Sequence, residues 1–147
     1  MEVSFGVERL LLAVLESAYR EEEINEKEKI TTRSFLQLPA LLVPYFVAII
    51  PQPASKENRG PEIQDQAYQL YCHLLKEFDF SLTYEEASSI GKSYRRQDAI
   101  GTYYCLTVDF QTAQDQKITC RNRDTMKQNR IDINSLKKYL YNQYEKH

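Results

Sequence analysis

Glycine is scarce in this chain, histidine scarcer, and long apolar runs are missing. Only four glycines occur. None sits in a loop that would cradle a phosphate with backbone N–H groups, which excludes the glycine-rich nucleotide motifs. The two histidines are His73 and His147. Neither stands in a local grouping with serine, cysteine or aspartate that would make a nucleophile and its base. His73 lies off the apolar stripe of its helix with no second ligand at helical spacing, so it reads as a surface histidine. The three cysteines, Cys72, Cys105 and Cys120, are odd in number and widely spaced. They exclude zinc and redox spacing and read as reduced thiols of a cytoplasmic protein. No apolar stretch approaches the ~20 residues of a bilayer span, so no membrane is expected as a partner. Residues 10–15 resemble the core of a secretion signal, but Glu2 and Glu8 precede them and no basic start does. Glu85 and Glu86 are adjacent on a strand end, point to opposite faces, and make a poor acid–base pair. Asp109 and Asp124 are isolated, and each reads as structural.

What is present is an ordinary soluble chain with one unusual charge distribution. The 147 residues fit one domain, or one domain with an appendage, and 42% hydrophobic content is enough for a core. The net charge of −2 hides a basic segment. Between positions 88 and 130 stand eight basic residues, Lys92, Arg95, Arg96, Lys117, Arg121, Arg123, Lys127 and Arg130, against four aspartates. That segment is therefore at +4 and the remainder at −6. A basic segment inside an acidic chain points to a local anionic partner.

The pattern along the chain is mixed. Residues 1–5 alternate weakly, as a strand end does. Residues 6–19 predict a helix whose apolar positions (Val7, Leu10, Leu11, Leu12, Ala13, Val14, Leu15, Ala18) cover more than one stripe, so it should be buried on most sides. Residues 20–29 are a charge run with one apolar residue, expected as a linker or solvated helix extension and taken as the domain boundary. Residues 45–50 predict a strand buried on both faces. Pro61 opens a helix with its apolar stripe at Ile63, Ala67, Leu70, Tyr71, Leu74, Leu75 and Phe78. A strand over 80–84 precedes a basic helix, capped by Ser88 or Ser89 and ended by Gly101. Strands come next over 103–110, 117–121 and 129–133, with a hairpin-like turn at 111–116. Asn134 is expected to cap a last helix carrying Leu136, Leu140 and Tyr144. The order β-α-β-α-β-β-β-α predicts an α/β fold: a mixed sheet of about five strands flanked by about three helices, after an extra N-terminal helix.

Chemistry points to binding. Lys92 and Arg96 are expected to share one helical face with Arg95 beside them. On a strand, Arg121 and Arg123 would face one side, and arginine suits bidentate contact with phosphates and base edges. Tyr94, Tyr103 and Tyr104 lie beside these cations; exposed they would stack on unpaired bases, buried they would be core.

Several stretches resemble the carboxy-terminal part of the glycyl-tRNA synthetase family, class II aminoacyl-tRNA synthetases. Residues 89–98 (Ser-Ile-Gly-Lys-Ser-Tyr-Arg-Arg-Gln-Asp), Ile100-Gly101-Thr102, Thr107-Val108-Asp109-Phe110, Arg123-Asp124-Thr125-Met126, and Gln128 with Arg130 look like the family's anticodon-binding domain. Arg33, Leu36, Leu38, Pro39 and Pro44 look like its beginning. Departures from the family pattern stand at Ser88, Ser93, Ala99, Tyr103, Asn122 and Lys127. Residues 4–9 (Ser-Phe-Gly-Val-Glu-Arg) are similar to the third class II signature motif, where the arginine meets ATP phosphates. The resemblance implies residues 1–29 as a remnant of a catalytic domain plus linker and 30–147 as the anticodon-binding domain. It implies tRNA of the glycine isoacceptors as partner, with Lys92, Arg95 and Arg96 on the backbone of the anticodon stem. Arg121, Arg123, Asp124 and Gln128 are implied to lie near the anticodon bases, with Asp124 and Gln128 able to read base edges, and Arg130 is implied as a further tRNA-binding residue. Glu8 and Arg9 are implied as an ATP-binding remnant. ATP and Mg belong to the intact family enzyme; for this chain no cofactor is expected, and alone it is expected to be inactive. A homodimer through the intact enzyme, or a partner over the N-terminal helix, is implied. The alternative is a free-standing accessory or interaction protein that has lost tRNA reading.

Overall fold

The computed structural model describes residues 4, 6–26, 29–53, 60–86 and 89–145. The expected strand end over residues 1–5, the possible cap Ser88 and His147 fall mostly or wholly outside the described residues.

The chain opens with helix α1 (Val7–Ala18), followed by strands β1 (Tyr19–Glu26) and β2 (Lys29–Leu36). β1 and β2 form a two-stranded antiparallel sheet, with Tyr19 opposite Leu36 and Glu22 opposite Arg33. The charge run expected as a linker or helical extension is therefore a strand. Its pairing supplies what its composition lacks: the opposing strand carries Ile30, Thr31, Thr32 and Arg33, and strand preference depends on such partners more than on the residues alone. The hairpin straddles the boundary placed after residue 29.

The main sheet has five strands in the order β4-β3-β5-β6-β7: β3 (Val47–Pro51), β4 (Leu82–Tyr84), β5 (Tyr104–Val108), β6 (Lys117–Asn122) and β7 (Gln128–Asp132). β3 runs parallel to β4 and β5, while β5, β6 and β7 are antiparallel in turn. The crossover from β3 to β4 is helix α2 (Gly60–Glu77), and that from β4 to β5 is α3 (Ile90–Ile100). These crossovers step in opposite directions along the sheet, so right-handed connections put α2 and α3 on opposite faces. The alternation inside β3 agrees. Val47 and Ile49 join the large core, which also holds Ile63, Ala67 and Leu74 of α2. Ala48 and Ile50 join Cys105 and, from α3, Tyr94. Every residue of β3 is buried, as its unbroken apolar run predicts.

A short helix α4 (Thr112–Asp115) fills the expected turn, and α5 (Ile133–Tyr144) closes the chain with Leu136 and Leu140 buried. Its cap is Asp132, whose Oδ1 accepts from the Asn134 N–H at 2.8 Å, in place of the expected Asn134. Asp132 ends β7 in extended backbone, the conformation a cap needs. Phe46 centres the aromatic core, with Phe80, Tyr144, Tyr103 and Tyr104 at 4.9, 5.0, 5.6 and 5.6 Å between ring centroids. Tyr103 and Tyr104 are thus core residues.

α1 is the exception to burial. Only Ala18 is buried, while Val7 and Leu12 are 76% and 65% exposed and Leu10, Leu11 and Val14 are exposed beside them. Among the described residues, no other element covers the helix expected to be enclosed.

Candidate functional site

The helix-forming stretch that holds most of the expected cations is tied down at both ends. The Ser89 Oγ accepts from the Lys92 N–H at 3.3 Å at the start of α3. At the other end Gly101 takes φ +87°, and its N–H reaches the Asp98 carbonyl. A Cβ on Gly101 would come within 3.1 Å of the Leu36 carbonyl, so glycine also lets β2 approach the helix end.

Asp98, near the end of α3, is the hub of a buried ion cluster. It is 1% exposed and accepts from Arg121 Nη1 and Nη2 at 2.8 and 2.9 Å and from Arg33 Nε at 2.8 Å. Arg33 also reaches Glu22 at 3.2 Å and the Arg123 carbonyl at 2.5 Å. One carboxylate from α3 therefore joins β2 to β6. Burial works against the charge on Arg121, and the two bonds to Asp98 more than offset it, holding the guanidinium above its ordinary range. The same guanidinium lies 4.7 Å from the centroid of Tyr94. Tyr94 Oη is 2.8 Å from Thr107 Oγ1, and burial pushes the phenol up.

Above this cluster opens a cleft of about 460 Å³. Its walls are the hairpin (Ile24, Thr31, Thr32, Arg33), α3 (Gly91, Lys92, Tyr94, Arg95, Asp98) and the β6–β7 region (Arg121, Met126, Gln128). Lys92 and Arg95 are exposed on one wall. Among the described residues neither has a carboxylate within ion-pair reach. Gln128, on the opposite wall, is exposed, and its amide makes no hydrogen bond among the described residues.

The expected site residues separate into two groups. Lys92, Arg95 and Gln128 share this cleft. Arg96 does not line it: its guanidinium turns to Glu85, 2.8 Å away. Lys92 and Arg96 stand four residues apart on α3, but the Arg96 guanidinium is spent on Glu85, so Lys92 and Arg95 are the cations of α3 that line the cleft. Glu85 is buried and also accepts from Gln97, which accepts in turn from Thr102 Oγ1 at 2.6 Å.

Arg121, Arg123 and Arg130 do not present the free guanidinium groups expected of them. Arg121 is the cleft floor, occupied by Asp98. Arg123 is 1% exposed and donates to Asp124 at 2.8 Å, to the Gly101 carbonyl at 2.7 Å and to the Leu38 carbonyl at 3.1 Å, lying 4.6 Å from the Tyr103 centroid. Asp124 is correspondingly engaged. Arg130 bonds Asp109 at 2.7 Å and Asp115 at 2.9 Å. Those carboxylates raise the guanidinium further, and Arg130 draws the exposed Asp115 carboxyl down. Positive charge near positions 121–130 is largely cancelled locally, for Arg123 by its neighbour Asp124 and for Arg121 and Arg130 by acids that sequence order does not place beside them.

Glu8 and Arg9 stand exposed on the first turn of α1. Two neighbours on one helical turn do not surround a triphosphate, so these residues alone do not fit ATP. His73 is a surface residue, 3.7 Å from Glu77. No helix among the described residues is long and apolar enough to cross a membrane.

The sequence reading missed Thr31, Thr32 and Ile24 as cleft residues, because the charge run concealed the hairpin. Asp98 was missed as well; the signal that could have found it is its place four residues after Tyr94, on the same helical stripe.

Glycine--tRNA ligase of Mycoplasma mycoides subsp. mycoides SC is 50% identical over 144 residues, covering 98% of this chain and 29% of the relative. The Mycoplasma capricolum subsp. capricolum glycine--tRNA ligase gives the same figures. That of Mycoplasmopsis synoviae is 46% identical over 140 residues, 95% of this chain and 29% of the relative. The chain thus spans under a third of the length of these relatives. Residues 47–143, from β3 to within one residue of the end of α5, match the profile of the anticodon binding domain, and the chain belongs to that family.

Proposed function

We propose that this chain is the anticodon-recognition part of a glycine–tRNA ligase and that it holds tRNA at the cleft between α3, the hairpin and β6–β7. The observation that carries the placement is the pair of cations, Lys92 and Arg95, on one wall of that cleft, neither of them neutralised by a carboxylate among the described residues. Phosphate contact needs charge that is not already spent on a carboxylate, and these two meet that condition where Arg121, Arg123 and Arg130 do not. Arg96, at the edge with its side chain 60% exposed, adds a peripheral contact to the backbone. Gln128 is the base-edge reader, since a free amide offers a donor and an acceptor on one plane. In this reading Arg121 shapes the cleft floor, while Arg123 and Asp124 lie outside the cleft and hold the chain beside it. The uncovered apolar residues of α1 support a further protein surface against that helix, within the ligase or across a dimer. Glycine transfer itself is assigned to groups other than those of this chain, because Glu8 and Arg9 do not assemble a site.

The test compares binding of a glycine tRNA with one whose anticodon bases are exchanged. Tighter binding of the first is expected, and equal affinity removes the recognition claim. Lys92→Ala and Arg95→Ala should each lower the slope of log affinity against log salt by about 0.7–0.9. The chain alone is expected to show no glycine-dependent exchange of pyrophosphate into ATP.

A further inference from the structure

The main sheet ends at β4, and no strand among the described residues pairs with its outer side. The Ser81 carbonyl accepts from the Phe46 N–H at 2.8 Å, and the Glu85 N–H donates to the Ile49 carbonyl at 3.0 Å. Positions 81 and 85 therefore face β3, and alternation turns the N–H and C=O groups of Leu82 and Tyr84 outward. Edges are commonly blunted by charge or proline, and the Leu-Thr-Tyr of β4 carries neither. The opposite edge, β7, exposes Gln128, Asn129 and Arg130. Beside β4 runs an apolar ledge. Tyr68, Tyr71 and Leu75 share one face of α2 by their spacing, and Tyr68 and Leu75 are 54% and 47% exposed. The Tyr84 ring ties that face to the strand, with centroids 5.6 Å from Tyr68 and 5.9 Å from Tyr71. Its hydroxyl reaches the Gln64 carbonyl at 3.3 Å and Glu86 at 3.0 Å. An exposed acid stands on either side of the strand, Asp79 before it and Glu86 after it. Neither meets a basic side chain among the described residues.

We propose that the β4 edge and the α2 ledge take an extended segment of a separate protein, apolar at alternate positions and basic at both ends, which adds to the sheet as a further strand. Outward backbone groups on an edge are met by another strand, and one row of its side chains then falls on the ledge. The two acids decide the charge of the occupant. A second copy is disfavoured, because two β4 edges paired antiparallel bring Asp79 of each toward Glu86 of the other, and like charges in facing strands repel. RNA is disfavoured by the same acids. The hairpin bonds to α3, on the opposite face of the sheet from α2, which places the chain's own N-terminal elements away from this ledge. The site is thus separate from the cationic cleft and does not depend on what that cleft holds.

The experiment uses the full chain and a capped, fluorescein-labelled heptapeptide of alternating valine and threonine with a lysine at each end. A second peptide has glutamate at both ends, and a third is the lysine peptide N-methylated at every bond between its ends. Affinity is measured by anisotropy, strand pairing by residue-resolved amide hydrogen exchange, and the fold of each variant by far-UV circular dichroism. The lysine peptide is expected to bind with a dissociation constant below about 1 mM and to slow exchange at Leu82 and Tyr84. The methylated peptide should not bind. Tyr68→Ser and Leu75→Ser should each weaken binding about fivefold with the fold unchanged. Asp79→Lys combined with Glu86→Lys should turn the preference from the lysine peptide to the glutamate peptide. Four results overturn the proposal. Exchange at Leu82 and Tyr84 is unchanged at about 1 mM lysine peptide. Exchange slows at Gln128 and Arg130 instead, which places the peptide on the opposite edge. The lysine and glutamate peptides bind the parent equally. Leu82 and Tyr84 are already protected in the concentrated free chain and lose that protection on dilution, which makes the occupant a second copy.

Discussion

Replacing Asp98 by alanine isolates the physics of the buried ion cluster. The carboxylate accepts three hydrogen bonds of 2.8–2.9 Å from Arg121 and Arg33, and all three side chains are nearly dry. Once it is gone, Arg33 keeps Glu22 and a backbone carbonyl, but among the described residues Arg121 keeps only the face of Tyr94. Breaking a buried pair by removing one partner strands a charge in low dielectric, which costs about 3–5 kcal/mol. Asp98→Asn retains an acceptor and the volume, and should lose about 2–3 kcal/mol. Arg121→Met should cost less than either, because Asp98 would still be neutralised by Arg33 and a methionine fills much of the space. Urea unfolding followed by far-UV circular dichroism measures all three, with the m-value checking that the transition stays two-state. A loss below about 1 kcal/mol for Asp98→Ala would refute the reasoning, since it is the value of a solvated surface pair.

Gly101→Ala places a side chain at φ +87° against the Leu36 carbonyl and should destabilise by at least about 1 kcal/mol, read in the same urea titration. The alkaline limb of stability is set by buried neutral groups. Burial pushes the Cys120 thiol to about 12 and Cys105 higher still, and raises the Tyr94 and Tyr104 phenols. A group whose value is raised on folding contributes fully below its unfolded value and loses that contribution as pH climbs toward the folded one. Stability should therefore fall above about pH 8.5, by about 1.4 kcal/mol per pH unit for each thiol; a melting temperature unchanged from pH 8 to about pH 10.5 would contradict this. At neutral pH a thiol-specific chromogenic reagent should titrate Cys72, the half-buried cysteine, promptly, and reach Cys105 and Cys120 only in denaturant. Immediate reaction of all three would show the sheet interior to be open.

The elements with strong local signals were legible. β3 follows from its unbroken apolar run, α2 from its 3–4 spacing, and α3 from a serine cap and a glycine stop. The alternation of helices and strands supplied the mixed main sheet. β1 was not legible, because the Glu21–Glu23 stretch acquires strand character only from Thr32, Arg33 and Ser34 across the hairpin. The site was half legible for a related reason. Lys92 and Arg95 carry their exposure in helical geometry, so local sequence suffices. Arg121 and Arg130 on a strand read as outward cations until the fold brings Asp98 from 23 positions away and Asp109 from 21. Neutralisation by distant acids is a property of topology, and charge counted along a segment overstates what a ligand meets.

The knot of Arg33, Asp98 and Arg121 also has a temporal meaning. Its members come from the hairpin, the crossover helix and the sheet, and the link from Arg33 to the Arg123 carbonyl closes a loop of 90 positions. Such long closures come late in folding, after local helices and turns have formed. The gap between hairpin and helix is therefore sculpted last, and a nascent or partly unravelled chain would display Lys92 and Arg95 without the opposing rim that turns two loose charges into a receptor.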